Sequence, residues 1–319
     1  MTAVYFDENT DDKSRRQSLY NGDLYVYSRS AATKELIDVA RQMCEEAFAP
    51  HHPVEAQHHL PVEEYNEILK ELKPKFIHDP RCKQIISRIL GEFGCDLERT
   101  YFDVPRLRTA TAQDYLNSGL AYAFKAHRDT WYSPPMCQLN WWLPVYEIES
   151  NNGMAFYPRY WDRPVKNSSN EWNYQLWNET GRQLASQQGL KDTRRQSEAL
   201  EELDLSNDLR LVAPPGGLII FPAAHLHGTV PNTTERTRIS IDFRTVHLDE
   251  LETDSGAPNV DSACTGTTIH DYLSAADGKS IPDSIVDWFE ESTRPRLTNS
   301  AVSDESVVMT AAMAELSPI

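Results

Sequence analysis

The run FKAHRDTWY (124–132) holds His127 and Asp129 with a single residue between them. On a strand, residues i and i+2 share a face, so an imidazole and a carboxylate can reach one metal ion from one strand end. Such a pair is two-thirds of a facial triad, the ligand set that leaves open positions on iron(II). A His-x-Asp pair alone is a weak signal and needs a third ligand from elsewhere. His225 and His227 in PAAHLHGT stand two apart far downstream, and on a strand both would point the same way. Basic residues gather around the first pair: Arg106 and Arg108, alternating on one strand, with Lys125, Arg128 and Arg159. They suit an acidic substrate such as a carboxylate, phosphate or nucleotide. Trp131 and Tyr132 directly follow the pair and offer a stacking or apolar wall. Gln138 and Asn140, again two apart, would share a face beside it.

The elements that must position these groups follow from hydrophobic periodicity. The first 20 residues are polar and predict a loose N-terminus, and 23–28 (DLYVYS) a short strand. Three helices follow. Residues 32–48 place Leu36, Val39, Ala40, Met43 and Ala47 on one face. Residues 61–72 open on Pro and acids, and 80–93 end before Gly94, a suitable cap. From about residue 99 the pattern becomes strand-like: 99–108, 121–125, 136–145, 154–157, 209–213, 218–221 and 238–246, punctuated by Pro and Gly. Helices first and many short strands after predict an α+β chain with a jelly-roll or sandwich core. The polar, Trp-containing segment 158–207 (Trp161, Trp172, Trp177) reads as an inserted lid, and the Ser/Thr/Ala-rich residues 298–319 as a mobile tail.

The chain has 319 residues, 40% apolar and 25% charged, which fits one large domain with insertions or two small ones. No run approaches the roughly 20 apolar residues needed to span a bilayer. The N-terminus lacks the apolar core of a secretory leader, so the expected location is cytoplasmic. Five scattered cysteines, none in a Cys-x-x-Cys pair, read as free thiols. A net charge of −17 argues against nucleic acid or an anionic membrane as partner and leaves a small molecule. The His-rich stretch HHPVEAQHH (51–59) lacks a matching acid or Cys and predicts no specific metal site.

Residues 214–246, PPGGLIIFPAAHLHGTVPNTTERTRISIDFRTV, carry a turn, an apolar strand, the two histidines, Asn232 and then Arg238-x-Ser240. With His127 and Asp129 upstream, this resembles the distal half of Fe(II)/2-oxoglutarate oxygenases, and most closely their phytanoyl-CoA dioxygenase-like branch. In that branch the distal His is followed by a small polar stretch, an Asn, and an Arg about eleven residues on. Counted from His227, Asn232 lies at +5 and Arg238 at +11. NNGMAFYP (151–158) resembles the preceding strand of the family, and the likeness spans roughly 99–247. The chain departs from it at 158–161, where PRYW replaces the usual Pro-Gly-Ser-His.

The resemblance implies a double-stranded β-helix core, jelly-roll or cupin-like, with N-terminal buttressing helices and a helical insertion in one domain over 21–297. It implies iron(II) on His127, Asp129 and His227, with His225 a packing residue. The far carboxylate of 2-oxoglutarate would sit on Arg238 and Ser240, with Gln138 and Asn140 near its other end. Arg106, Arg108, Lys125, Trp131, Tyr132 and Arg159 are the substrate candidates. The implied reaction uses O2, releases succinate and CO2, and oxidises a C–H bond of a small, biosynthetic molecule. Halogenating relatives carry Gly or Ala at the Asp129 position, so Asp favours hydroxylation, with desaturation, cyclisation or epimerisation open. An iron dioxygenase of the cupin type without 2-oxoglutarate, or a non-enzymatic jelly-roll binding protein, are the alternatives. The spacing of Arg238 speaks against the first and the full triad against the second. Oligomeric state is not legible.

Overall fold

The computed structural model describes residues 2–181 and 195–292. The expected C-terminal tail and the middle of the 158–207 insertion lie outside them. Helices α1 (Asp12–Tyr20), α2 (Ala31–Phe48), α3 (Val62–His78) and α4 (Pro80–Glu92) lead the chain, interleaved with strands β1 (Val4–Phe6) and β2 (Leu24–Tyr27). Then come β3 (Thr100–Phe102), β4 (Arg106–Ala110), β5 (Leu139–Pro144), β6 (Met154–Phe156), β7 (Leu209–Leu211), β8 (Leu218–Pro222), β9 (His227–Thr229), β10 (Arg238–His247) and β11 (Leu273–Ser274). A short helix (Leu248–Glu252) and a longer one (Asp283–Ser292) complete it.

The large sheet runs β1-β2-β8-β5-β10-β3-β11, with β4 also on β10, and the small sheet runs β7-β6-β9. Alternation along the strands sorts their side chains into two cores. Leu139, Trp141 and Leu143 of β5, Leu218 and Ile220 of β8, and Ile239, Ile241 and Phe243 of β10 pack with Leu36, Leu69 and Ile89 of the helices. The opposite residues, Trp142, Ile219 and Phe221, meet Met154, Phe156 and Leu211 of the small sheet. The order is therefore helices, large sheet, small sheet. Full burial of each large aliphatic side chain stabilises such layers by roughly 1.5–3 kcal/mol.

Local signals explain most boundaries. Ser30 and Thr33 form a reciprocal capping box at the start of α2, and Asp79 accepts from the Arg81 amide before Pro80 opens α4. Helix α3 continues past the expected end at Leu72, with Pro74 inside it, because Phe76 extends the buried face of Leu69 and Leu72. Pro215 and Gly216 centre a tight turn (Gly216 φ 76°, Gly217 amide to Pro214 carbonyl 2.7 Å) that passes the chain from small to large sheet.

Some expectations are corrected. The polar first 20 residues form β1 and α1, because Arg15 and Arg16 are buried against Asp12 and Glu250 and not solvated. The run 99–108 is broken at 103–105, where Asp103 turns inward to accept the Arg244 amide (2.8 Å). No strand forms over 121–125, and Asp129 opens a 3-10 turn (Asp129–Tyr132), not a strand.

Candidate metal centre

His127 sits in an isolated antiparallel bridge with His227, whose strand β9 it joins for one residue. The two residues exchange both backbone bonds, at 2.8 and 2.9 Å. Gly228 permits this approach, since a Cβ there would lie 3.0 Å from the Ala126 amide nitrogen. The side chains of such a directly opposed pair project to one side, and the rings stand 4.5 Å apart. Asp129 reaches the same point from the start of its turn, with Oδ1 3.2 Å from His127 Nε2 and 3.8 Å from His227 Nε2. Their ligand atoms all lie within 4.8 Å of one another.

Both imidazoles are oriented by the main chain. His127 Nδ1 donates to the Lys125 carbonyl and His227 Nδ1 to the His225 carbonyl, each at 2.8 Å. That fixes the tautomer and turns both Nε2 lone pairs toward Asp129 Oδ1. Three acceptor atoms aimed at one point repel each other, and a divalent cation relieves that repulsion. Burial, and then His127, push His227 down to about 4, so it is a neutral ligand at neutral pH. Burial would raise Asp129, but its immediate neighbours, His127 and the Arg244 guanidinium, hold its carboxyl well below the usual carboxylate range. The donor set fits iron(II).

Arg128, between His127 and Asp129, points the other way and anchors the loop. It is 1% exposed, its Nε donates to Asp261 Oδ2 (3.0 Å), and its other nitrogens reach the carbonyls of Ala224, Tyr160 and Arg163. Asp261 also accepts from Trp131 Nε1 (2.7 Å) and the Val165 amide (3.0 Å). Arg128→Met should lower unfolding stability by about 3 kcal/mol, because it strands a buried carboxylate. Thermal or denaturant unfolding checks this. A change below ~0.5 kcal/mol, the range of a neutral surface substitution, would refute the anchoring role.

The other expected site residues divide. His225 precedes β9, is fully buried against Phe156 and Trp161, and stays out of the cluster. Burial pushes it down to about 3, so it is neutral there. Gln138 Nε2 lies 3.5 Å from Asp129 Oδ2 and 3.0 Å from Asn140 Oδ1, while Tyr272 donates to its Oε1 (2.7 Å). Arg238 is buried over the Trp142 ring (5.7 Å) and donates to the Gly153 carbonyl (3.0 Å). Its Nε and the Ser240 hydroxyl, both buried, have no hydrogen-bond partner. No described carboxylate is within ion-pair distance of Arg238, and burial pushes its pKa down to about 10.

The substrate candidates are mostly engaged elsewhere. Arg106 pairs with Asp103, and Arg108 with Asp242 (2.6 Å). Lys125 projects into solvent near Glu198 (3.7 Å), and Arg159 pairs with Asp204 at the surface. Trp131 is fully buried on Asp261 and offers no wall. Tyr132 does stand edge-on to His127 (5.7 Å), flanked by Phe124 and by Trp172 at 4.8 Å. Two residues that organise this region were not anticipated. Asp261 carries no local motif. Arg244, with Nε 4.0 Å from Asp129 Oδ2, was detectable only as a further basic residue in the alternation Arg238, Ser240, Asp242.

No helix of the described residues is long and apolar enough to cross a membrane. No known protein family matches the chain by sequence, and no curated protein does either. Among solved structures it is similar to EvdO2 from Micromonospora carbonacea var. aurantiaca complexed with 2-oxoglutarate: 13% identity, 75% of this chain and 92% of that one, TM-score 0.44. It is also similar to the non-heme alpha ketoglutarate dependent carbocyclase SnoK from nogalamycin biosynthesis, at 11% identity over 76% and 85% of the two chains, TM-score 0.38. AviO1 from Streptomyces viridochromogenes Tue57 shares 11% identity over 79% of this chain and 100% of its own, TM-score 0.37.

Proposed function

We propose that this chain is an iron(II)- and 2-oxoglutarate-dependent oxygenase that hydroxylates an unactivated C–H bond of a small, acidic, biosynthetic molecule. One conjunction carries the reading. Three metal-capable side chains converge with both imidazoles already oriented. In the same interior, on the strand after β9, lies a buried guanidinium with an open Nε and no described acid within ion-pair distance. The strand order β4-β10-β5-β8 opposite β9-β6-β7 supports reading the core as a double-stranded β-helix.

His127, Asp129 and His227 would hold the iron, which when bound with 2-oxoglutarate supplies dioxygen activation coupled to loss of CO2 and formation of succinate. Arg238 would take the far carboxylate of the oxo acid on its planar fork, and Ser240, two residues on along the same face, would add its unpartnered hydroxyl. Gln138 would steady Asp129 through Oδ2, leaving Oδ1 for the metal. Tyr132, Phe124 and Trp172 would form the apolar wall that excludes water beside His127.

The test is an anaerobic titration of metal-free protein with iron(II) and then 2-oxoglutarate, followed by the weak visible charge-transfer band of the chelate. The band should form, vanish in His227→Ala and persist in His225→Ala. Iron binding without a band would favour a cupin-type iron dioxygenase. No iron binding would favour a binding protein without catalysis.

A further inference from the structure

The interior face of β10 presents Arg238, Ser240, Asp242 and Arg244 in alternation. Arg238 and Arg244 start about 20 Å apart, at roughly 3.3 Å per residue, with the Arg108–Asp242 ion pair between them. The two ends differ in what they face. Arg238 lies against the Asn152 and Gly153 carbonyls, and Arg244 beside Asp129.

The Arg244 guanidinium is under-used. The two carboxylates within ion-pair reach stand at 3.7 Å (Asp103) and 4.0 Å (Asp129), Asp242 acts on it from farther off, and it hydrogen-bonds to no described residue. Asp103 is already taken by the Arg106 guanidinium and the Arg244 amide, and Asp129 by the metal site. Asn140 lies directly opposite Arg244 on β5, so the two side chains share a face. Asn140 is 3% exposed, and its Nδ2 has no partner. A partly exposed fork and a buried amide, both with donors to spare, therefore sit side by side next to the ligand carboxylate. Unsatisfied donors in such a place call for an acceptor.

We propose that Arg244 and Asn140 form a second carboxylate subsite, separate from Arg238–Ser240, which holds an acidic group of the primary substrate beside the metal. This rests on the oxygenase reading, and it moves the expected acid-binding role from Arg106, Arg108, Lys125 and Arg159 to Arg244. The same chemistry would suit the carboxylate of 2-oxoglutarate next to its keto group, so the experiment must separate the two sources.

Zinc-loaded protein saturated with 2-oxoglutarate is titrated with benzoate and phenylacetate and with their neutral amides, benzamide and phenylacetamide, by ligand-observed NMR. The acids should bind about tenfold tighter than the amides, the effect of one charge-assisted pair. That preference should disappear in Arg244→Met, weaken in Asn140→Ala, and survive in part in Arg244→Lys, with 2-oxoglutarate affinity unchanged in the two Arg244 variants. The Lys variant guards against misfolding as the cause. If Arg244→Met instead weakens 2-oxoglutarate tenfold and acids show no preference in the native protein, the subsite serves the co-substrate and the proposal is overturned. No preference and no change in 2-oxoglutarate affinity also overturns it. If native protein binds zinc but not 2-oxoglutarate, the oxygenase reading fails, while an Arg244-dependent preference for acids would still uphold the subsite.

Discussion

Asp129→Ala is expected to strip the protein of iron(II) and abolish turnover. Removing a partner that merely supports a metal ligand costs roughly 10–100-fold in affinity, and Asp129 would be a ligand itself, the one anion of its set. Its Oδ1 is the atom nearest both Nε2 groups, and no other described acid joins the cluster to replace it. The imidazoles should keep their orientation, because each is held by a carbonyl and not by Asp129. The loss should therefore be one of affinity and not of folding. Competition against a colorimetric chelator measures the first, and succinate formation from 2-oxoglutarate measures uncoupled turnover. Affinity within a few-fold of the native protein would remove Asp129 from the ligand set.

Arg238→Met is expected to weaken 2-oxoglutarate binding by about 100-fold, while the metal-free protein loses no thermal stability. Truncating one partner of a buried charge pair typically costs about 2–5 kcal/mol, or roughly 30-fold to several thousand-fold in Kd. The stability half follows from the unloaded state. There Arg238 is a buried cation with an open Nε, in ion-pair contact with no described acid and only partly offset by the charge of Asp242, and burying such a group is costly. Methionine keeps much of the packing over Trp142 and removes the charge. A purely structural arginine would behave the opposite way, with a lower melting temperature and an unchanged apparent affinity. Arg238→Lys should recover only part of the binding, since an ammonium lacks the two-pronged geometry.

The parts legible in the sequence were those with local signatures. Apolar alternation placed β5, β8 and β10 within a residue or three, an apolar face located α2, and Pro80 with the Gly94 cap located α4. Register with Gly228, Asn232 and Arg238 favoured His227 over His225, and the structure groups His227, not His225, with His127 and Asp129. What escaped reading depends on contacts across the chain. Helix α1 was obscured because its buried arginines look like surface residues until Glu250, far downstream, is brought against Arg16. Trp131 follows Asp129 but is drawn away from the site by Asp261. Arg106 and Arg108 were rightly seen to share a face, yet the acids that occupy them are Asp103 and Asp242. Arg244 had no distinguishing context in the sequence, and its relevance comes only from the distance to Asp129.

The mutual backbone bonds of His127 and His227 make these two amides reporters of occupancy. Neither proton can exchange with deuterated solvent until the short bridge parts, and a cation gripped by the two rings must be released in the same opening. Local opening free energies rise with ligand by mass action, by about 2.7 kcal/mol at a hundred times the dissociation constant. Slowed deuterium uptake at these positions would thus report metal affinity for colourless ions such as zinc or magnesium, which no absorption band can follow.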